Sequence, residues 1–114
     1  MKGQSFGRRL GFALQGLRTA LGREASFRTQ LAFAVVVVIA LAVERPAAIW
    51  WAVCALAIGL VLVAELLNSA LEALADRLHP EQHPQIRAAK DLAAAAVLVA
   101  AGTAVTIAVI YLLR

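Results

Sequence analysis

The chain is short of most of what soluble catalysts and secreted domains are built from. It has a single cysteine, Cys54, in 114 residues. An intrachain disulfide and a thiolate metal centre are therefore excluded, and inside an apolar segment that thiol serves as a small hydrophobe. No glycine-rich phosphate loop, dinucleotide-binding fingerprint or Ser-His-Asp set is present. Any handling of nucleotides must occur outside the common soluble folds. Acidic residues are few, 7 against 11 Lys and Arg. There is no internal repeat, low-complexity tract or long linker. His79 and His83 share a proline-bounded loop with Glu81, but zinc wants three or four placed ligands, so both read as loop residues.

What the sequence has in excess is apolar surface. Hydrophobic residues make up 62% of the chain, against about 45–50% in soluble domains. The length allows one domain, 1–114, and a domain so small cannot bury that much. The remainder faces lipid. The expected fold is all-α and membrane-embedded, with an amphipathic surface helix over 1–28 and spans at 29–43, 46–66 and 92–113.

A helix needs about 20 apolar residues to cross a bilayer, with a lower limit near 17. The first run is therefore short unless its polar end, including Gln30, sits at the interface or the bilayer thins. Only Glu44, Arg45 and Pro46 separate the first two runs, a tight turn with Pro46 suited to starting the next helix. Trp50 and Trp51 follow at headgroup depth. The second connection, roughly Asp76 to Asp91, is polar. The alanines at 93–96 suit close helix packing in a membrane.

Lys2, Arg8, Arg9, Arg18, Arg23 and Arg28 precede the first run, with Glu24 the only acid among them. Arg77, Arg87 and Lys90 lie in the second connection. The positive-inside rule puts both regions in the cytoplasm, and the Glu44–Arg45 turn and the C-terminal end outside. The expected location is the inner, cytoplasmic membrane, crossed several times. The net charge of +4 thus reads as topology and attraction to anionic headgroups, not as a nucleic-acid surface. Ala40-Leu41-Ala42 resembles a signal-peptidase site, but the region before the run is too long for a signal sequence. Phe6, Leu10, Leu14, Leu17 and Leu21 recur at helical spacing. Such a basic amphipathic helix lies in the interface plane, either as an anchor or also as a wall of a site.

Glu65, Asn68, Glu72 and Asp76 fall on one helix face. An ionisable group at the depth of Glu65 is costly and usually functional. Three carboxylates in one column repel unless a cation sits among them, and Mg²⁺ binds through one or two carboxylates plus phosphate oxygens. A solvated helix end explains Asp76 equally well, but not Glu65 or Asn68, which are embedded in apolar sequence. Lys90 can snorkel to the interface or meet a polyphosphate. Asp91 can cap the helix that follows.

Glu65-Leu-Leu-Asn68-Ser-Ala-Leu-Glu72-Ala-Leu-Ala-Asp76-Arg77 and Ala-Lys90-Asp91-Leu-Ala-Ala-Ala-Ala-Val97, with Gly16-Leu17 and Glu24-Ala-Ser-Phe27-Arg28 before them, resemble a known signature. It is that of the prokaryotic diacylglycerol kinases and their undecaprenol kinase relatives, and the similarity covers nearly the whole chain. The resemblance implies a homotrimer with sites between subunits at the cytoplasmic surface, moving the γ-phosphate of MgATP to a lipid hydroxyl. It implies that Glu65 is the catalytic base and that Glu24 and Glu72 bind Mg²⁺. It places Lys90, Asp91 and Glu72 at the nucleotide phosphates, with Asn68 and Asp76 as further site positions.

Diacylglycerol, giving phosphatidic acid, is the first acceptor expected. Ala93 and Ala94 stand where that branch has Gly-Ser, and Ala13 where it has Ser, which leans toward undecaprenol. Two readings from other classes compete. A small proton-coupled exporter has four spans and its acid in the first. A non-catalytic assembly factor docking a basic partner requires neither Lys90 beside the carboxylates nor Glu24 on a separate helix.

Overall fold

The computed structural model describes residues 2–114. They form four helices: α1 (Phe6–Arg23), α2 (Ala25–Glu44), α3 (Ala48–Leu78) and α4 (Pro84–Leu113). Ser5 starts α1 by accepting from the Arg8 N–H at 3.4 Å. Glu24 separates α1 from α2 and is extended, with φ −108 and ψ 102. Its N–H donates to the Ala20 carbonyl at 2.9 Å, and its carbonyl accepts from Arg28 at 3.1 Å. One residue thus ends one helix and begins the next. The Arg28 guanidinium reaches back to the Leu21 carbonyl at 2.9 Å, satisfying an orphan acceptor in the last turn of α1. Buried Ala20 and Phe27 pack the corner.

Helices outrun the apolar runs that announce them. α2 is 20 residues long, about 30 Å, which matches the hydrocarbon core. It gains that length by taking Ala25 to Arg28 into its first turn, and Glu44 at its end. The short first run is thereby explained without thinning the bilayer. α3 has 31 residues, about 46 Å, so its last third stands clear of the core. α4 begins at Pro84, where a missing N–H costs nothing, and His83 Nδ1 caps it by accepting from the Gln85 N–H at 3.1 Å. The second connection is only His79 to His83, much shorter than the polar stretch 76–91.

The outer turn also differs from expectation. Arg45 adopts the left-handed conformation, φ 54 and ψ 54, with its N–H on the Leu41 carbonyl at 2.9 Å. α3 then starts at Ala48, so Pro46 stiffens the turn and is not the first helical residue.

α3 and α4 pack antiparallel over most of their length. Along α4 the sheltered positions include 86, 90, 93, 97, 100, 104, 107 and 111, steps of four and three, with Ala89 and Ala101 beside them, the seam of a left-handed helix pair. Small residues keep it narrow: Ala93, Ala100 and Ala104 on α4 and Cys54 and Ala57 on α3, with Ala104 sharing a groove with Cys54, Ala57 and Val61. α2 adds Ala34 and Leu41, one heptad apart. Elsewhere the large apolar side chains point outward. Only 17%, 22% and 6% of the most apolar windows of α2, α3 and α4 are buried, and each helix is long and apolar enough to cross a membrane.

Candidate active site

Glu65 is the one buried charged residue among the described residues, 5% exposed. It follows Cys54, Ala57 and Val61 along the sheltered stripe of α3, so the packing that makes the helix pair also encloses the carboxylate. Gln30 of α2 lies against it, and Glu24 and Glu72 are within electrostatic reach. Glu24 comes from the α1–α2 corner, whose backbone bonds and Arg28 clamp fix it in place. Glu72 sits two turns further along α3 and is exposed. Among the described residues, none of these three carboxylates is ion-paired with Lys, Arg or His. Acidic groups from two elements therefore converge without a protein counter-charge.

No three His, Cys, Asp or Glu side chains among the described residues lie close enough to form a metal cage within one chain. Magnesium does not ask for one, since one or two carboxylates suffice when phosphates and water supply the rest. Glu24 and Glu72 are hard oxygen donors without competing cations, and they fit that demand as a partial site.

Asn68 lies one turn beyond Glu65 on the same face, and its Oδ1 is buried without a hydrogen-bond partner. Such an orphan acceptor costs about 1–3 kcal/mol. A ligand donor arriving there would recover that cost.

The rest of the column is engaged differently. Asp76 Oδ1 accepts from Lys90 Nζ at 2.5 Å, tying α3 to α4. Asp91 lies two turns inside α4 and so does not cap it, a role His83 fills; its carboxylate is 3.3 Å from Arg87 Nε. Beneath the loop is a polar pocket of about 80 Å³ lined by Asp76, His79, Glu81, Arg87 and Lys90 among others. The His79 and His83 rings meet edge to face with centroids 5.6 Å apart.

The structure thus brings the seven sequence-derived positions together as two groups on one side of the bundle. Glu24, Glu65, Asn68 and Glu72 form a group around the buried carboxylate; Asp76, Lys90 and Asp91 form the loop-level group. Gln30 is the residue that sequence reasoning placed at the interface without a role. The signal was a lone carboxamide opening an apolar run, but its partner on α3 is visible only after folding. Gln30 also ends an apolar groove of about 120 Å³ that runs between α2, α3 and α4 past Ala34, Cys54, Ala57 and Ala104.

The family model described as prokaryotic diacylglycerol kinase matches residues 11–112. The chain belongs to that family. The match contains almost all of α1 to α4 and both groups of site residues. Curated relatives named diacylglycerol kinase include the Escherichia coli K12 protein, 41% identical over 91 residues that cover 79% of this chain and 74% of the relative. The Pseudomonas aeruginosa protein is 45% identical over 95 residues, 79% and 73% of the two chains. The Haemophilus influenzae protein is 33% identical over 89 residues, 78% and 75%. The family is one of lipid kinases, so this member is an enzyme, a membrane-embedded phosphotransferase acting on a lipid alcohol. That sets aside the exporter and docking readings.

Proposed function

We propose that the chain transfers the γ-phosphate of MgATP to the hydroxyl of a membrane lipid at a site centred on Glu65, with diacylglycerol giving phosphatidic acid as the acceptor reaction. The observation that carries this reading is a buried carboxylate at membrane depth, flanked by carboxylates that lack a protein counter-charge. Glu65 takes the proton from the lipid hydroxyl, which needs a base within hydrogen-bond reach of the proton it removes. Gln30 restrains its carboxylate. The Asn68 Oδ1 acceptor is left for another donor on a bound ligand, because the single hydroxyl proton goes to Glu65. Glu24 and Glu72 would hold Mg²⁺, which supplies charge neutralisation for the phosphates when bound. Lys90 meets the phosphates, with Asp91 and Asp76 around it. Phosphoryl transfer asks for positioning and charge compensation more than covalent chemistry, and these residues provide both.

The exposed apolar side chains of α1, Phe6, Leu10, Leu14 and Leu17, suit a helix lying on the cytoplasmic surface. With the His79–His83 loop on the same side and the Glu44–Arg45 turn outside, the residues form one domain in the inner membrane. The partly sheltered carboxylates suit burial by association, and the family resemblance implies a homotrimer that completes each site. Undecaprenol is the second acceptor reading, favoured by Ala13, Ala93 and Ala94.

The test is transfer of labelled γ-phosphate from ATP to diacylglycerol or undecaprenol, offered separately to purified protein in mixed micelles. Preference for diacylglycerol supports the proposal, and preference for undecaprenol moves the acceptor. No transfer to either lipid by folded protein overturns it.

A further inference from the structure

The Lys90 ammonium is already occupied. It donates to Asp76 at 2.5 Å, and it is the more sheltered partner, 28% exposed against 66% for Asp76. The pair joins α3 to α4 across the His79–His83 loop and forms part of the wall of the polar pocket there. With neutral histidines, the formal charges lining that pocket cancel, Asp76 and Glu81 against Arg87 and Lys90. A polyphosphate arriving there meets no net positive field. Arg87 is engaged as well, 3.3 Å from Asp91, but both of those side chains are more than half exposed and solvent screens them. Lys90 is the cation whose partner matters.

We infer that Asp76 is a positioning residue that keeps Lys90 in reserve, and that a nucleotide phosphate must displace the Asp76 carboxylate from Lys90 before transfer. The inference rests on the reading of Lys90 as a phosphate ligand. The exchange is bond for bond, one anionic oxygen for another, so the ammonium is never left without an acceptor. A lysine suits it, because its compact charge on a flexible stem turns between acceptors without backbone movement. The competition is mild. A pair this exposed changes an equilibrium by about 1.5- to 5-fold, enough to weaken nucleotide binding without preventing it. When product leaves, the same carboxylate recaptures Lys90.

The experiment titrates a non-hydrolysable ATP analogue with Mg²⁺ into the full-length protein in micelles, following binding by calorimetry. Asp76→Asn is expected to tighten Kd about 2- to 5-fold, and Asp76→Glu to bind as the parent does. In a Lys90→Met background, which itself binds more weakly, Asp76→Asn is expected to change nothing, because a gain from the altered local field alone would persist there. Asp76→Ser stands in if Asp76→Asn fails to fold. Unchanged or weaker binding by Asp76→Asn overturns the reserve role, as does equal tightening with Lys90 absent. Parent-like binding by Lys90→Met removes the phosphate-ligand reading itself, and the two failures are thereby distinguished.

Discussion

Tyr111 Oη donates to the Glu44 carboxylate at 2.6 Å, joining the C-terminal end of α4 to the C-terminal end of α2. The Tyr111 ring meets Trp50 of α3 edge to face, with centroids 5.1 Å apart. Arg114 stacks over the Tyr111 ring at 3.7 Å and reaches Glu44 at 3.5 Å. Three helices are therefore clasped at the end of the bundle opposite the carboxylates. Tyr111→Phe removes the donor and keeps the ring, so its thermal midpoint in micelles is expected to fall. Glu44→Gln is expected to lower it less, since a carboxamide oxygen still accepts. The double variant should lose little beyond Tyr111→Phe, because both act on one bond. Additive losses would show that the two groups act separately.

Glu65→Gln removes the base and keeps the shape. Loss of a positioned base lowers turnover by about 10²–10⁴-fold, measured as phosphate transfer in mixed micelles. Stability should hold or rise, because a neutral carboxamide avoids the cost of an enclosed charge. Near-parental turnover would remove Glu65 from the chemistry.

Glu72→Gln addresses the metal. Partners outside a metal's own ligand set cost 10- to 100-fold in affinity when lost, so a direct donor should shift the Mg²⁺ titration upward by about tenfold or more. The check is activity against Mg²⁺ at fixed ATP. An unshifted midpoint would show that the Glu72 oxygen is not a ligand.

Asn68→Leu separates stability from function. Its Oδ1 is buried without a partner, and replacing such a group by an apolar one of similar shape is neutral or stabilising. The melting midpoint should hold or rise while turnover falls about tenfold or more, a loss of roughly 1.4 kcal/mol in the barrier balance. A fall in both would mark Asn68 as a structural residue.

What could be read beforehand was what depends on helical periodicity alone. Glu65, Asn68, Glu72 and Asp76 share a face because of their spacing, and no tertiary knowledge is needed to see it. Helix ends were less legible. α2 and α4 begin well before their uncharged runs, since polar residues such as Arg28 or Arg87 continue a helix as readily as they end one. That is why Asp91 looked like a cap and lies inside α4. Which side chains meet across helices was not legible, although the alanines at 93–96 announced close packing. Gln30 against Glu65 and Lys90 on Asp76 arise from register across two separate turns, and register is set by the narrow alanine seam of α4 and by the corner at Glu24.

The length of α3 has a consequence for which molecules can react. Glu65 and Asp76 ride on one unbroken helix, about 16 Å apart along its axis at 1.5 Å per residue. If Glu65 meets the lipid hydroxyl and Lys90, beside Asp76, the nucleotide, as proposed, the depth of the one and the height of the other are a single fixed offset. Neither can be adjusted alone. Under the proposed roles the helix would work as a gauge, accepting alcohols by how far they stand out of the bilayer, before any contact with their tails is made.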